Sequence, residues 1–453
     1  MKNILNNYKV LALALVVSLS SCDSILEPQP RLDISSEFAI TDKRGAEAAL
    51  LGAYSELQSN NYYGLEYPAQ AYLSADEADW SGSFNFYQQF DLNAIPAENS
   101  TIKSVWSQIY RVINVSNNLI DKVPAIQDRN LTDVQRQKIL GEAYFLRALA
   151  YFDLGRAWGG VPLVLQPTVD KNSGKGIKRA SREQTYAQVL ADLEQAELLL
   201  PALTVRSRAS KEAVWALKAR LYLYQQNWEK AEAFASLVLN SGKSRLVQPY
   251  SAFYTGKLTE ESILELVYDN ADRNSHANYW LTSSRGGRYE WKPSAGITQD
   301  LRNPAVGGSR SALIGSQVNN GSETVYGQKY TKVATGEDGA FILRIAEQYL
   351  IRAEARLKRN NLAGGLADLN EVRKRAELQP FVTADLNAAL LAVEQERKVE
   401  LAFEGHRWFD LIRTGRAAAV LGIADANKFL FPIPNSEILA DPDLGPEDQN
   451  PGY

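Results

Sequence analysis

Glu396, Glu400 and Glu404 recur every fourth residue within EQERKVELAFEGHRWFDLIRTGR, the stretch from Glu394 to Arg416. On a helix that spacing stacks three carboxylates on one face, with Val399 and Phe403 forming an apolar face beside them. Two kinds of chemistry suit such a stripe. Carboxylates near His406 and Asp410 could act as general acid and base. Alternatively, guanidinium groups from other helices could lock onto the stripe and tie helix to helix. Like charges at this spacing repel, more strongly when buried, so the stripe asks for basic partners. Arg147, Arg220 and Arg352 lie in helical stretches and are candidates. Gly405 should break the helix, leaving His406–Arg413 as a short second helix with an aromatic, half-buried face.

A second kind of chemistry is suggested by aromatic residues that helical periodicity does not explain. One stretch, Asn60–Phe90, contains Asp76-Glu77-Ala78-Asp79-Trp80-Ser81-Gly82-Ser83-Phe84-Asn85-Phe86-Tyr87. The other, Asp272–Trp291, reads DRNSHANYWLTSSRGGRYEW. Indole and phenol rings present flat faces to the C–H face of a sugar and a polar edge to its hydroxyls. Asp, Asn and Arg alongside supply directional hydrogen bonds. Candidate contacts are therefore Trp80, Asp76, Tyr279, Trp280, Arg288, Tyr289 and Trp291, with Tyr326 and Tyr330 in reserve. The competing reading is that these rings merely anchor irregular loops onto helices.

Other chemistries find little support. The single cysteine excludes an intrachain disulfide and any Cys-built metal centre, and two distant histidines do not make a zinc site. No metal or cofactor is expected. Gly174-Lys175-Gly176 lacks phosphate-loop spacing, and Asp441-Pro442-Asp443-Leu444-Gly445 fails the EF-hand register. No Gly-Xaa-Ser-Xaa-Gly elbow occurs. A formal charge of −4 argues against nucleic acid as the main partner.

The elements that must position these residues are mostly helical. The composition, 45% hydrophobic and 23% charged over 453 residues, is that of a globular chain. Helices are expected at about 36–58, 99–122, 133–157, 181–200, 210–225, 228–240, 341–359, 361–376 and 385–404. In Ser210–Ser241, Trp215, Ala219, Tyr222 and Ala231 have the spacing of a tetratricopeptide unit. Ala353 and Gly365 repeat the same separation in Ile345–Ala376. Gly141–Val164 reads as the first half of a further unit, with Glu183–Leu200 as its partner. Helical repeats thus fall at about 36–58, 99–241 and 341–416, and irregular binding regions at about 60–98 and 243–340.

At the amino terminus a basic start, MKNILNNYK, precedes the apolar run VLALALVVSLS and then Ser21-Cys22. The run is too short to span a bilayer and suits a signal peptide over residues 1–21. Cys22 stands where a lipoprotein signal peptidase would leave it for acylation, and residues 22–35 form a polar tether.

Several motifs then fall in order behind Cys22. They are Arg147-Ala148 and Tyr151-Phe152-Asp153-Leu154 with Trp158-Gly159-Gly160-Val161-Pro162-Leu163, and Ala353-Glu354-Ala355 with Leu369-Asn370-Glu371-Val372-Arg373-Lys374-Arg375-Ala376. ERKVELAFEGHRWFDLIRTG, Phe431-Pro432-Ile433-Pro434 and the terminal Gln449-Asn450-Pro451-Gly452-Tyr453 follow. In this combination the chain resembles the SusD/RagB family of outer-membrane nutrient-binding lipoproteins. The resemblance implies a mainly α fold, a tetratricopeptide-like helical scaffold with an irregular, loop-rich ligand-binding region. It also implies lipid anchoring at the cell surface and capture of an oligosaccharide for a SusC-like TonB-dependent transporter, without catalysis. Trp80, which follows the acidic segment resembling the family's early loop, is the one contact carried over by resemblance. A peptide or another nutrient is the alternative cargo, since Arg285 and Arg288 leave room for an acidic ligand. A glycoside hydrolase using a Glu/Asp pair is the remote alternative.

Overall fold

The computed structural model describes residues 40–170 and 173–453. The expected signal peptide, Cys22, the tether and residues 36–39 of the 36–58 helix lie outside them; Ile40–Asp42 are described and not helical, so that helix starts at Lys43, later than expected.

Local side-chain chemistry sets where most helices start. Asp42 caps α1 (Lys43–Gln58) by accepting from the Gly45 amide. α2 (Glu66–Leu73) and α3 (Asn85–Asp91) are short. Asn99 caps α4 (Ser100–Lys122), and Thr132 with Gln135 forms a reciprocal capping box on α5 (Asp133–Trp158). Ser181 and Gln184 do the same for α6 (Arg182–Leu199). Ser210 and Asn227 cap α7 (Lys211–Tyr224) and α8 (Trp228–Asn240). α9 (His276–Trp280) and α10 (Ala295–Arg302) punctuate the irregular region. α11 (Ile345–Lys358), α12 (Leu362–Arg375), α13 (Leu386–Glu400) and α14 (Arg407–Arg413) close the body.

Helices neighbouring in sequence pack as antiparallel hairpins, α5 on α6, α7 on α8 and α11 on α12, and α8 also packs on α11. Small residues permit the close approach: Ala219, Ala231 and Ala353 are wholly buried. A Cβ added to Gly365 would lie 2.5 Å from Leu357 Cγ. The chain is therefore mainly α, a tetratricopeptide-like scaffold carrying a loop-rich region.

Three two-stranded antiparallel ribbons interrupt the helices. β1 (Ala78–Trp80) pairs with β3 (Trp291–Pro293), β2 (Ser262–Leu266) with β6 (Ala340–Arg344), and β4 (Ile314–Asn319) with β5 (Ser322–Gly327). The 341–359 helix accordingly starts only at Ile345, because Ala340–Arg344 is a fully buried strand. A short apolar run reads alike as strand or buried helix, and here pairing with β2 decides.

The acidic stripe also differs from its sequence reading. α13 ends at Glu400, and Phe403 and Gly405 have φ of 64° and 77°, so Glu404 lies in a tight turn. The partners are not Arg147, Arg220 and Arg352, which bind Asp192, Glu347 and Asp368. They are Arg310, Lys329, Arg344, Arg373 and Arg375, residues widely separated in the chain. Arg344 Nη1 lies 2.7 Å from Glu261 Oε1 and 3.1 Å from Glu400 Oε1, while its Nη2 is 2.6 Å from Glu404 Oε1. Arg375 bridges Glu261, at 2.6 Å, and Glu400. Arg310 contacts Glu396 and Glu400, Arg373 contacts Glu396, and Lys329 Nζ is 2.6 Å from Glu404. Burial pushes the Glu400 carboxyl up, but Arg375, Arg344 and Arg310 outweigh it and hold the group ionised.

Removing one member of a buried charge network leaves the others without compensation. Glu400→Gln should therefore cost about 3–5 kcal/mol of unfolding free energy. Arg245→Gln, which breaks an exposed pair with Glu260, should barely move the urea midpoint. Equal shifts of the two midpoints would refute the central role given to the network.

Candidate ligand-binding site

The β1–β3 ribbon brings the two ring-bearing stretches together, with Asp79 opposite Lys292 and Trp80 opposite Trp291. Glu290 extends the junction. Its carbonyl accepts from the Ser81 and Gly82 amides at 2.9 and 3.0 Å. Its carboxylate accepts from the Ser83 and Phe84 amides at 2.8 and 3.2 Å. Only glycine fits at position 82, where a Cβ would fall 2.0 Å from Glu290 Oε2. On the other side, the Glu290 and Arg288 amides donate to the Tyr279 and Asn278 carbonyls. The loop Ser81–Phe84 is thus templated by one buried carboxylate from the far stretch.

The residues singled out in sequence separate into two groups. Trp280 and Trp291 are 1% and 0% exposed, so neither offers a ring face to a ligand. Trp291 stacks on Tyr279 at 4.9 Å and meets Tyr87 edge-on at 4.8 Å. Trp280 packs on Phe403 at 4.6 Å and on Tyr72 at 5.1 Å. Both are anchors of the irregular region onto α2 and the turn after α13, which corrects their reading as contacts. Asp76 is likewise engaged: Arg407 Nε lies 2.7 Å from one carboxylate oxygen and Lys398 Nζ 3.0 Å from the other. Tyr326 and Tyr330 are buried, and Tyr330 stacks on His276.

Trp80, Tyr279 and Tyr289 are half-buried and Arg288 is exposed. Two rings passed over in sequence join them. Phe84 and Phe86 are half-buried and stack on each other at 5.2 Å. Arg288 lies 4.4 Å over the Phe84 ring. Their signal was already present, since Phe84-Asn85-Phe86 follows Trp80 and has no helical period with the preceding core. The result is a ridge of partly open rings with Ser83 and Asn85 exposed among them.

Around the ridge, burial raises the phenols and the Asp79 carboxyl. Burial raises the Tyr279 and Tyr289 phenols, which stay protonated and can donate; Tyr289 Oη is 2.6 Å from the Val325 carbonyl. Burial also raises Asp79, which Lys292 opposes. Deeper down, burial pushes Glu66 up to about 7 against the hydrogen bond from Tyr87. Glu77 rises to about 8 through burial and the neighbouring Asp76 charge.

The two histidines and Asp410 are not poised for acid–base work. His276 is pushed down to about 3 by burial, and His406 is also lowered by burial and by Arg220 and Arg397. Burial would raise Asp410, but Arg397 and Arg413 hold it at about 2. Such groups are poor proton donors or acceptors near neutrality. Beside them opens a cavity of about 270 Å³ lined by Glu354, Glu394, Arg397, Asp410 and Arg413. Its carboxylates are already paired with arginines and no ring lines it. Among the described residues no cluster of three or more His, Cys, Asp or Glu is placed to hold a metal ion.

Two family models match the chain. Residues 29–223 match the one described as "Starch-binding associating with outer membrane", and residues 268–428 match the SusD family. The SusD-like protein P38 of Formosa agariphila is 26% identical, the match covering 96% of each chain. The starch-binding protein SusD of Bacteroides thetaiotaomicron is 25% identical over 72% of this chain and 75% of its own. Among solved structures, a SusD superfamily protein from Bacteroides vulgatus superposes with a TM-score of 0.80 at 20% identity, covering 90% of this chain and 99% of its own. A laminarin-binding SusD-like protein superposes with a TM-score of 0.79 at 24% identity, covering 91% and 100%.

The raised Glu77 has a thermodynamic signature. A carboxyl whose folded pKa lies above its unfolded value stabilises the fold at low pH, and that contribution is lost as pH rises through the folded pKa. Between pH 4.5 and 8, wild type should lose stability relative to Glu77→Gln, the gap growing from near zero to roughly 1–4 kcal/mol. Urea titrations at pH 5 and 8.5 read this directly, and a pH-independent gap would contradict it.

Proposed function

The chain belongs to the SusD/RagB family, and on that footing we propose that it is a cell-surface lipoprotein that binds an oligosaccharide and passes it to a SusC-like TonB-dependent transporter. The observation that carries the binding role is the convergence of two irregular segments, far apart in sequence, into one ridge of half-buried rings. Trp80, Phe84, Phe86, Tyr279 and Tyr289 supply stacking faces, and Ser83, Asn85 and the phenols supply hydrogen bonds to hydroxyls. Their supports are rigid, because Glu290 and the buried Trp280 and Trp291 hold the backbone beneath them.

Capture for hand-over differs from catalysis in what it demands of a site. A cargo must leave, so stacking on an open ridge at moderate affinity suits the role better than enclosure. The carboxylates of the acidic stripe and Asp410 serve ion pairs, and in this reading binding proceeds without bond-breaking. Anchoring would come from acylation of Cys22, and residues 22–35 would give the helical body reach above the membrane. Among the described residues no helix is long and apolar enough to cross a membrane.

Trp80→Ala should weaken oligosaccharide binding about tenfold or more, roughly 1.4 kcal/mol, in isothermal titration calorimetry. Trp280→Ala should instead lower the unfolding midpoint. Unchanged affinity in the Trp80 variant, with tight peptide binding, would move the cargo to peptides. Separately, Cys22→Ser should release the protein from the outer-membrane fraction and abolish labelling by a fatty-acid probe; retention with no label would end the anchoring proposal.

A further inference from the structure

Two exposed arginines border Gly286-Gly287 at one end of the ring ridge, and neither is used by the fold in the way the buried arginines are. Arg285 is exposed, with its guanidinium carbon 4.5 Å over the Tyr326 ring. Among the described residues it has no ion-pair partner within 4.0 Å. Arg288 is also exposed, and it sits 4.4 Å over Phe84. Its single acidic neighbour is Glu290, at 3.7 Å, beyond hydrogen-bonding distance. That carboxylate is 3% exposed and already accepts from the Ser83 and Phe84 amides. Stacking on a ring fixes the plane of a guanidinium while leaving its N–H edge for another acceptor.

The backbone that presents the two side chains is tightly determined. The Arg285, Gly286 and Gly287 amides donate to Thr282, Ser283 and Thr282 carbonyls, closing a compact turn. Gly286 has φ of 83°, and a Cβ at Gly287 would fall 2.0 Å from the Leu281 carbonyl oxygen. Tyr289 is held at φ 55°, a costly conformation for a residue with a side chain, between the 2.6 Å Arg288–Asn278 hydrogen bond and the Glu290 clamp. Strain of this kind persists only where the surroundings over-determine it, and it concentrates at binding sites. Of the acids nearest this end of the ridge, Glu290 is engaged in the loop, while Asp79 stands opposite Lys292 in the ribbon with its carboxyl raised by burial. In a chain of net charge −4, this turn therefore presents two oriented cations, Arg288 on the Phe84 ring of the ridge and Arg285, three residues before it, on the buried Tyr326 ring.

We infer that the glycan bound here carries an oxyanion substituent, a carboxylate or a sulfate ester, received by Arg285 and Arg288 while its sugar rings stack on the ridge. The inference rests on the oligosaccharide-binding reading above and names the class of sugar. Guanidinium forks match the paired oxygens of both substituents, whereas a neutral glycan leaves the two cations idle.

The test compares oligosaccharides of matched length by calorimetry: uronate oligomers, sulfated oligomers and neutral glucose oligomers. Wild type should bind one acidic class at least tenfold more tightly than the neutral one, and the preferred class identifies the substituent. Arg285→Gln/Arg288→Gln should erase that preference, bringing the acidic and neutral oligomers within twofold of each other. Lys138→Gln/Lys374→Gln, which removes the same charge from exposed positions elsewhere, should leave the preference intact. Equal loss in both double variants, or neutral binding with no acidic preference, would overturn the inference and leave the oligosaccharide reading standing. Failure of every saccharide to bind folded wild type would overturn both.

Discussion

The structure depends on how five buried carboxylates and their arginines are satisfied at the end of α13. Glu261, Glu396, Glu400, Glu404 and Asp410 come from three parts of the chain; Arg310, Lys329, Arg344 and Arg375 face the first four from other segments, and Arg397 of α13 faces Asp410. Burying an ion costs several kcal/mol unless its lone pairs or N–H groups are matched. The matching here spans α12, α13, α14, the β2–β6 ribbon and the segment after α10 at once. Guanidinium groups suit the task because each presents several donors in a plane, so Arg344 alone serves Glu261, Glu400 and Glu404. The network gives specificity of arrangement, since a slip of any one element would strand a charge in an apolar interior.

From this network the constraint passes to the ligand-facing region through a few contacts. Arg407 and Lys398 hold Asp76 at the entrance to β1, and Lys398 also reaches Asp300 on α10. The turn after α13 places Phe403 against Trp280 and offers its carbonyl to Tyr330. Further along, Asn450 Nδ2 donates to the Trp158 and Phe431 carbonyls and Trp158 Nε1 to the Pro432 carbonyl, which seats the carboxy-terminal segment on α5. The irregular region is thus fastened to the helices by paired charges and by buried rings, with its outer surface left open.

That division explains why ring-rich loops serve two ends in one protein. Tyr72, Tyr87, Trp280 and Trp291 form a connected buried cluster, each in edge or tilted contact with the next. Tyr279 bridges the layers, with one face on Trp291 and its remaining surface partly open. Trp80, Phe84, Phe86 and Tyr289 form the outer layer. Aromatic residues in long loops therefore divide by burial, the inner ones spent on packing and the outer ones keeping ring surface open for the proposed ligand.

Much of the architecture was legible in the sequence because it rests on local rules. The helix starts at Ser181 and Ser210, the turn at Asn227 and the small residues Ala219, Ala231, Ala353 and Gly365 speak within one helix or hairpin, where neighbours in sequence are neighbours in space. The ring-bearing stretches stood out for the same reason: their aromatics followed no helical period. What the sequence could not decide was any question of long-range pairing. The identity of the arginines facing Glu400, the strand character of Ala340–Arg344, the engagement of Asp76 and the burial of Trp280 and Trp291 all depend on partners tens to hundreds of residues away. Residue type states that a carboxylate needs a cation, or that an indole can stack. Only the folded chain determines which cation arrives, and which ring faces are already covered.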